Sequence, residues 1–183
     1  DFKADRSHEV YQNLLHSAMS ARKPEEFFQQ QLARRQSLKD DDNSALAQVT
    51  KASTLHYREW HQLNEERNQL RWVWHRFFKD YDVLLTPMCA TSAFAHDQNP
   101  ALSERVLSVN NEARPYFEQV FWAGLTGVAY LPSTVLPTGP DSNGLPIGVQ
   151  IIGAEMRDLI TIEFARMVHA EIGGFVPAPN YRN

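Results

Sequence analysis

Through most of the first eighty residues, apolar positions recur three and four apart, the spacing of a helix with one buried face. Val10, Leu14, Leu15, Ala18 and Met19 share such a face, and Ser7 is placed to cap the helix that carries them. Pro24 suits the first turn of a second helix, where Glu25 and Glu26 meet its positive end. Phe27, Phe28 and Leu32 supply that helix's apolar contacts. After the polar loop Lys39–Asn43, the pattern predicts one long helix from about Ser44 to Lys79. Leu46, Val49, Trp60, Leu63, Leu70, Trp74 and Phe77 form its seam. His56 and Arg67 interrupt the seam, which favours packing on a sheet over a coiled coil. Glu59, Glu65, Glu66, Arg67, Arg71 and Arg76 make an exposed, ion-paired face.

The period then shortens. Tyr81–Thr86 reads as a buried strand ended by Pro87, and Pro87–Pro100 as a loop. Val106–Val109 predicts a short strand turning at Asn110–Asn111. Pro115 opens a helix carrying Tyr116, Val120, Phe121 and Leu125, which stops at Gly127. Ser133–Leu136 and Ile147–Ile152 are β-branched runs separated by Pro137, Gly139, Pro140, Asp141, Asn143, Gly144 and Pro146. That linker is too long for a two-residue turn and predicts a wide antiparallel hairpin with an ordered loop. Val135, Ile147, Val149 and Ile151 are expected on one face. Leu136 and Ile152 are apolar too, so the sheet is expected to be covered by helices on both sides. Leu159–Ile172 predicts a last amphipathic helix closed by Gly173 and Gly174. All eight glycines lie at or after Gly124. The expected fold is one mixed α/β domain over 1–183, with helices on a small mixed sheet. It divides into a helical front (1–80) and a rear of strands, hairpin and closing helix (81–183).

Composition narrows the chemistry. A formal charge of −4, with no run of Lys and Arg along the chain, gives no nucleic-acid footprint. The segment DFKADRSHEV is not a signal peptide, and no apolar run reaches transmembrane length, so no membrane partner is expected. A single cysteine, Cys89, excludes an internal disulfide and fits a reducing cytoplasm. Beginning at Asp1 rather than methionine, the chain reads as a piece of a longer protein. Asp40, Asp41 and Asp42 lack the Gly and Glu of a calcium loop, and His56, His61 and His75 are too scattered to ligate one ion. Cys89 and His96 invite a thiol-nucleophile reading, but no orienting Asn or third ligand stands at a suitable spacing. No metal or cofactor is expected.

The hairpin also carries a resemblance. The pattern TG, LPSTVLPTG and GLPIGVQIIG, followed by a helix and a closing GGFVPAPNY, resembles the C-terminal end of the amidase signature family. WHRFFKDYDVLLTP is similar to that family's helix-then-strand segment, and the first thirty residues to its helical region. The resemblance runs from about Ser7 to Tyr181 and implies amide hydrolysis by a Ser–Ser–Lys triad. It implies too that the Thr86-Pro87-Met88 strand end, the Phe121–Gly127 segment with Trp122 and Thr126, and the Thr138-Gly139 turn lie nearest the substrate pocket.

The triad itself is missing. There is no Ser-Ser pair and no glycine before residue 124, and Lys3, Lys23, Lys39, Lys51 and Lys79 all fall on polar faces or in loops. The sequence therefore reads as the C-terminal portion of an amidase-like hydrolase, inactive alone, which meets a small amide only in the full-length protein. The alternative is a stand-alone binding or scaffold protein built on the same fold. Without the flanking strands of a larger sheet, the chain is expected to self-associate, with Val135, Val149 and Ile151 as the uncovered face.

Overall fold

The computed structural model describes residues 2–99 and 104–178. Pro100 of the predicted loop, and Pro179, Asn180 and Tyr181 of the closing motif, lie outside the described residues. Four helices make the front: α1 (Ala4–Ser20), α2 (Glu25–Ser37), α3 (Ala45–Ser53) and α4 (Tyr57–Phe77). Ser7 does not cap α1. It is buried inside the helix, one turn beyond the Lys3 cap position, beside Val10 and Leu14. Met19 lies off that buried face, 52% exposed.

The single long helix expected over 44–79 is broken at residues 54–56. The Ser44 side chain accepts the Ala47 N–H and caps α3. At its other end, the Thr54 hydroxyl donates to the Thr50 carbonyl. Glu59 then accepts the His56 N–H at 2.7 Å and starts α4 afresh. Arg35 of α2 closes the corner, donating to the Thr54 carbonyl and to Glu59. The break is thus held by a residue far away in sequence, which periodicity does not register. The charged face of α4 is ion-paired as expected, but mainly to other elements. Arg6 holds Glu66, Arg35 holds Glu59, and Arg71 holds Glu155.

Three strands form the main sheet in the order β1–β5–β4: β1 (Val83–Pro87), β4 (Ser133–Pro140) and β5 (Pro146–Gly153). Both pairings are antiparallel rather than mixed. A second ribbon pairs β2 (Val106–Val109) with β3 (Glu112–Pro115). Its two-residue turn has Asn110 and Asn111 both at positive φ, as a primed hairpin turn requires. A 3₁₀ turn (Tyr116–Gln119) leads from Pro115 into α5 (Val120–Gly127), and α6 (Asp158–Ile172) closes the fold.

The sheet is sandwiched. On one side Ile152 joins Val10, Leu14, Trp74, Leu125, Val128 and Ala129, with Leu84 and Trp122 packed at the margin. On the other, Ile151 and Leu136 pack under Ala165, with Val83, Val149, Phe164 and Val168 around them. Ile151 and Ile152 are each 0% exposed, so adjacent residues of one strand serve opposite cores. Each buried isoleucine contributes about 1.5–3 kcal/mol. This arrangement corrects the expected sheet face. Val135 pairs with Gln150, whereas Leu136 pairs with Val149, so Val135 lies on the side opposite Val149 and Ile151. Ile151 is covered by α6, and the three do not form an open surface. Among the described residues, no helix is long and apolar enough to cross a membrane.

Candidate functional site

The C-terminal end of β1 delivers its side chains toward α5. Thr86 stands directly opposite Gln150 in the ladder, and both are buried. Gln150 Nε2 donates to Thr86 Oγ1 at 3.1 Å and to the Trp122 carbonyl at 3.3 Å. A buried amide is tolerated only when so satisfied, and these two bonds fix the backbone of α5 against the sheet. Thr126 is buried one turn further on, with its hydroxyl donating to Ala123 of its own helix.

Beyond Pro87 the chain separates two clefts. One, of about 490 Å³, is lined by Met88, Cys89, Ala90, Ser92, Val135 and Gly148. The other, of about 410 Å³, is lined by Phe121, Trp122, His8, Asp5, Arg114 and Glu118, with Ala90 again at its edge. The Ala90 N–H donates to Gln119 Oε1 at 3.1 Å, which pins the dividing segment to α5's approach. Phe121 and Trp122 meet edge to face at 5.1 Å between centroids. Thus Phe121 and Trp122 line one cleft and Met88 lines the other, with the 88–94 segment between them. Thr86 lies buried behind them, and Thr138 stands exposed on the β4 bulge between Pro137 and Gly139, away from both clefts.

His8 and Gln150 were not anticipated as site residues. Gln150 was signalled only as the one polar residue inside the run IGVQIIG. His8 gave no signal beyond lying one turn before Tyr11 and Gln12 on α1. Its ring sits 5.3 Å from that of Phe121, and burial pushes its pKa below the ordinary value, opposed by the Glu118 and Asp5 carboxylates. A mostly neutral imidazole in an aromatic cleft could accept a proton. The lining of this cleft holds no Ser, Cys, Thr or Lys; His8 also borders a second cleft with His16 and Lys51, whose ammonium donates to the Asp42 carbonyl at 2.9 Å.

The neighbouring cleft has the reverse gap. Cys89 is exposed, and no His or Lys lines that cleft. Ser92 is bonded to Asp141 at 2.6 Å, and Asp141 also accepts the Asn143 and Leu145 N–H groups. Those bonds hold the Asp141 carboxyl below its usual range, as an ordering acceptor of the hairpin loop. His96 lies in a third cleft with Tyr116, so the Cys89–His96 pairing is not assembled. Among the described residues, no group of three His, Cys, Asp or Glu side chains is placed to hold a metal ion. The arrangement can present an apolar, aromatic wall to a small molecule. It does not assemble a nucleophile with a base.

Comparison with known proteins gives a consistent result. The family model described as Amidase matches residues 4–161. A glutamyl-tRNA(Gln) amidotransferase subunit of Brucella ovis is 30% identical over 102 residues, covering 56% of this chain and 19% of that protein. The indoleacetamide hydrolase of Bradyrhizobium diazoefficiens is 28% identical over 139 residues, covering 73% of this chain and 24% of that protein. A solved structure described as a vestigial complex bearing on the origins of an s-triazine catabolic enzyme superposes with a TM-score of 0.67 at 21% identity. It covers 94% of this chain and 35% of that one. The chain therefore spans about a fifth to a third of the length of these relatives.

Proposed function

Because the chain belongs to the amidase signature family, we propose that it forms the C-terminal portion of an amide C–N hydrolase and is inactive by itself. The observation that carries this is the separation of chemistry just described: an aromatic wall is present, and neither Cys89 nor Ser92 shares its cleft with a His or Lys base. In the family's mechanism a serine must be activated by a neighbouring base and its oxyanion held by backbone amides. This sequence holds neither a Ser-Ser pair nor a glycine-rich loop ahead of residue 124.

The role of this portion is to complete the substrate pocket. Phe121 and Trp122 form its wall, suited to the apolar part of a small amide, and Met88 lines the adjoining cleft across the 88–94 segment. Thr86 and Thr126 act as fixed anchors behind that wall, whereas Thr138, exposed outside both clefts, takes no part in it. Gln150 holds the wall in register with the sheet. No cofactor is needed for such hydrolysis.

The test is a chimera in which these 183 residues replace the matching part of an indoleacetamide hydrolase. The expected result is measurable hydrolysis of a small amide, with Trp122→Ala raising KM more than it lowers kcat. A folded chimera without turnover, or one indifferent to Trp122→Ala, overturns the proposal.

A further inference from the structure

We propose that the cleft between the last turns of α4 and the β5–α6 turn binds a phosphate-class dianion, either inorganic phosphate or a phosphate monoester. The cleft has a volume of about 340 Å³, and Arg71, His75, Lys79, Glu155 and Arg157 line it above an apolar floor that includes Phe78 and Leu131. Residues four apart share one helix face, so Arg71 and His75 stack along α4, and Lys79 follows in the turn just past its end at Phe77. Linear inspection shows no basic cluster here because the three are interleaved with Trp72, Trp74 and Phe77. A helix C-terminus favours cations, which accounts for Lys79. It does not account for Arg157, which arrives from the turn before α6 and enters the same cleft.

Charge selects the ligand. Three fixed cations face one carboxylate, an excess of two positive charges on a chain whose formal charge is −4. Arg71 is held in place, paired with Glu155 at 2.6 Å and lying 5.3 Å from the centre of the Tyr130 ring. Among the described residues, Lys79 and Arg157 have no carboxylate partner, and Asp80 and Asp158, their sequence neighbours, do not line the cleft. A phosphate group carries about −1.5 to −2 charges at neutral pH and matches that excess, whereas a carboxylate matches half of it. Arginine forks and a lysine ammonium are the donors such oxygens take. The site lies at the far end of the sheet from Met88. Gly153 pairs with Val83 at one end of β1, and Val149 with Pro87 at the other. The proposal is independent of the hydrolase reading.

Isothermal titration of the purified chain tests it, with inorganic phosphate, phenyl phosphate and acetate at constant ionic strength set by sodium chloride. The expected result is saturable binding of phosphate or phenyl phosphate, at least about tenfold tighter than acetate. Lys79→Gln and Arg157→Gln should each weaken it about tenfold. Arg76→Gln, an equal charge change outside the cleft, should leave it intact. Tighter binding of phenyl phosphate identifies a phosphorylated small molecule as the ligand, and equal binding identifies phosphate itself. Acetate binding as well as phosphate, no saturable heat, or an equal loss in Arg76→Gln overturns the proposal.

Discussion

Gln150 lies across the β1–β5 ladder from Thr86 and donates its Nε2 hydrogens to the threonine hydroxyl and, at 3.3 Å, to the Trp122 carbonyl. One side chain thereby joins three elements that sequence places far apart. Gln150→Leu keeps the volume but leaves the Trp122 carbonyl without this donor. Equilibrium urea unfolding should show a loss of about 2 kcal/mol, within the roughly 1–3 kcal/mol range for a buried group left unsatisfied. A change below about 0.5 kcal/mol would show the amide to be dispensable.

Much of the frame was legible in the sequence. The β4–β5 hairpin, the β1 strand and α6 follow from apolar runs bounded by Pro and Gly, and the asparagine turn follows from Asn110–Asn111. The side on which Val135 lies was not legible. The bulge between Pro137 and Gly139 shifts the register by one residue, and alternation on one strand cannot fix the parity of the other. The break at 54–56 depends on Arg35, a tertiary partner. The candidate site was half legible. Phe121 and Trp122 share one cleft and Met88 lines its neighbour, while His8 and the basic cleft come together only when α1 and α4 are folded against the sheet.

Gly124 sets the approach of α5 to α1. A Cβ there would stand 2.5 Å from Tyr11 Cδ1 and 2.9 Å from Cε1. Gly124→Ala should therefore destabilise by about 1–3 kcal/mol through overpacking, although alanine alone favours a helix by about 1 kcal/mol. Thermal unfolding of Gly124→Ala beside the double variant with Tyr11→Leu checks this. The double variant should recover most of the loss, and a stabilised single variant would contradict the close contact.

His8 and His16 both have pKa values lowered by burial. Their folded pKa values lie below the ordinary value of about 6.5, so the unfolded chain binds more protons between the two. Stability should accordingly be full above about pH 6.5 and fall as the pH drops beneath it. His8→Gln and His16→Gln, combined, should flatten the slope of unfolding free energy between about pH 6.5 and 5. An unchanged slope would place the acid sensitivity elsewhere.

Self-association is expected to use a surface other than the covered sheet. On α6, Leu159, Ile162 and Met167 are 79%, 54% and 55% exposed. Light scattering over a dilution series should show a dimer weakened by the double substitution Leu159→Lys and Ile162→Lys. Val149→Lys, by contrast, should chiefly lower stability, because Val149 packs beneath α6. A strictly monomeric chain at every concentration would contradict the expectation.

The most direct test is steady-state hydrolysis of simple aryl and alkyl amides by the purified chain alone. The expected rate is that of the buffer, since neither Cys89 nor Ser92 shares its cleft with a His or Lys base and removal of such machinery costs many orders of magnitude. Sustained turnover by the isolated chain, abolished by Cys89→Ala, Ser92→Ala or His8→Gln, would contradict its reading as the non-catalytic part of an amide hydrolase.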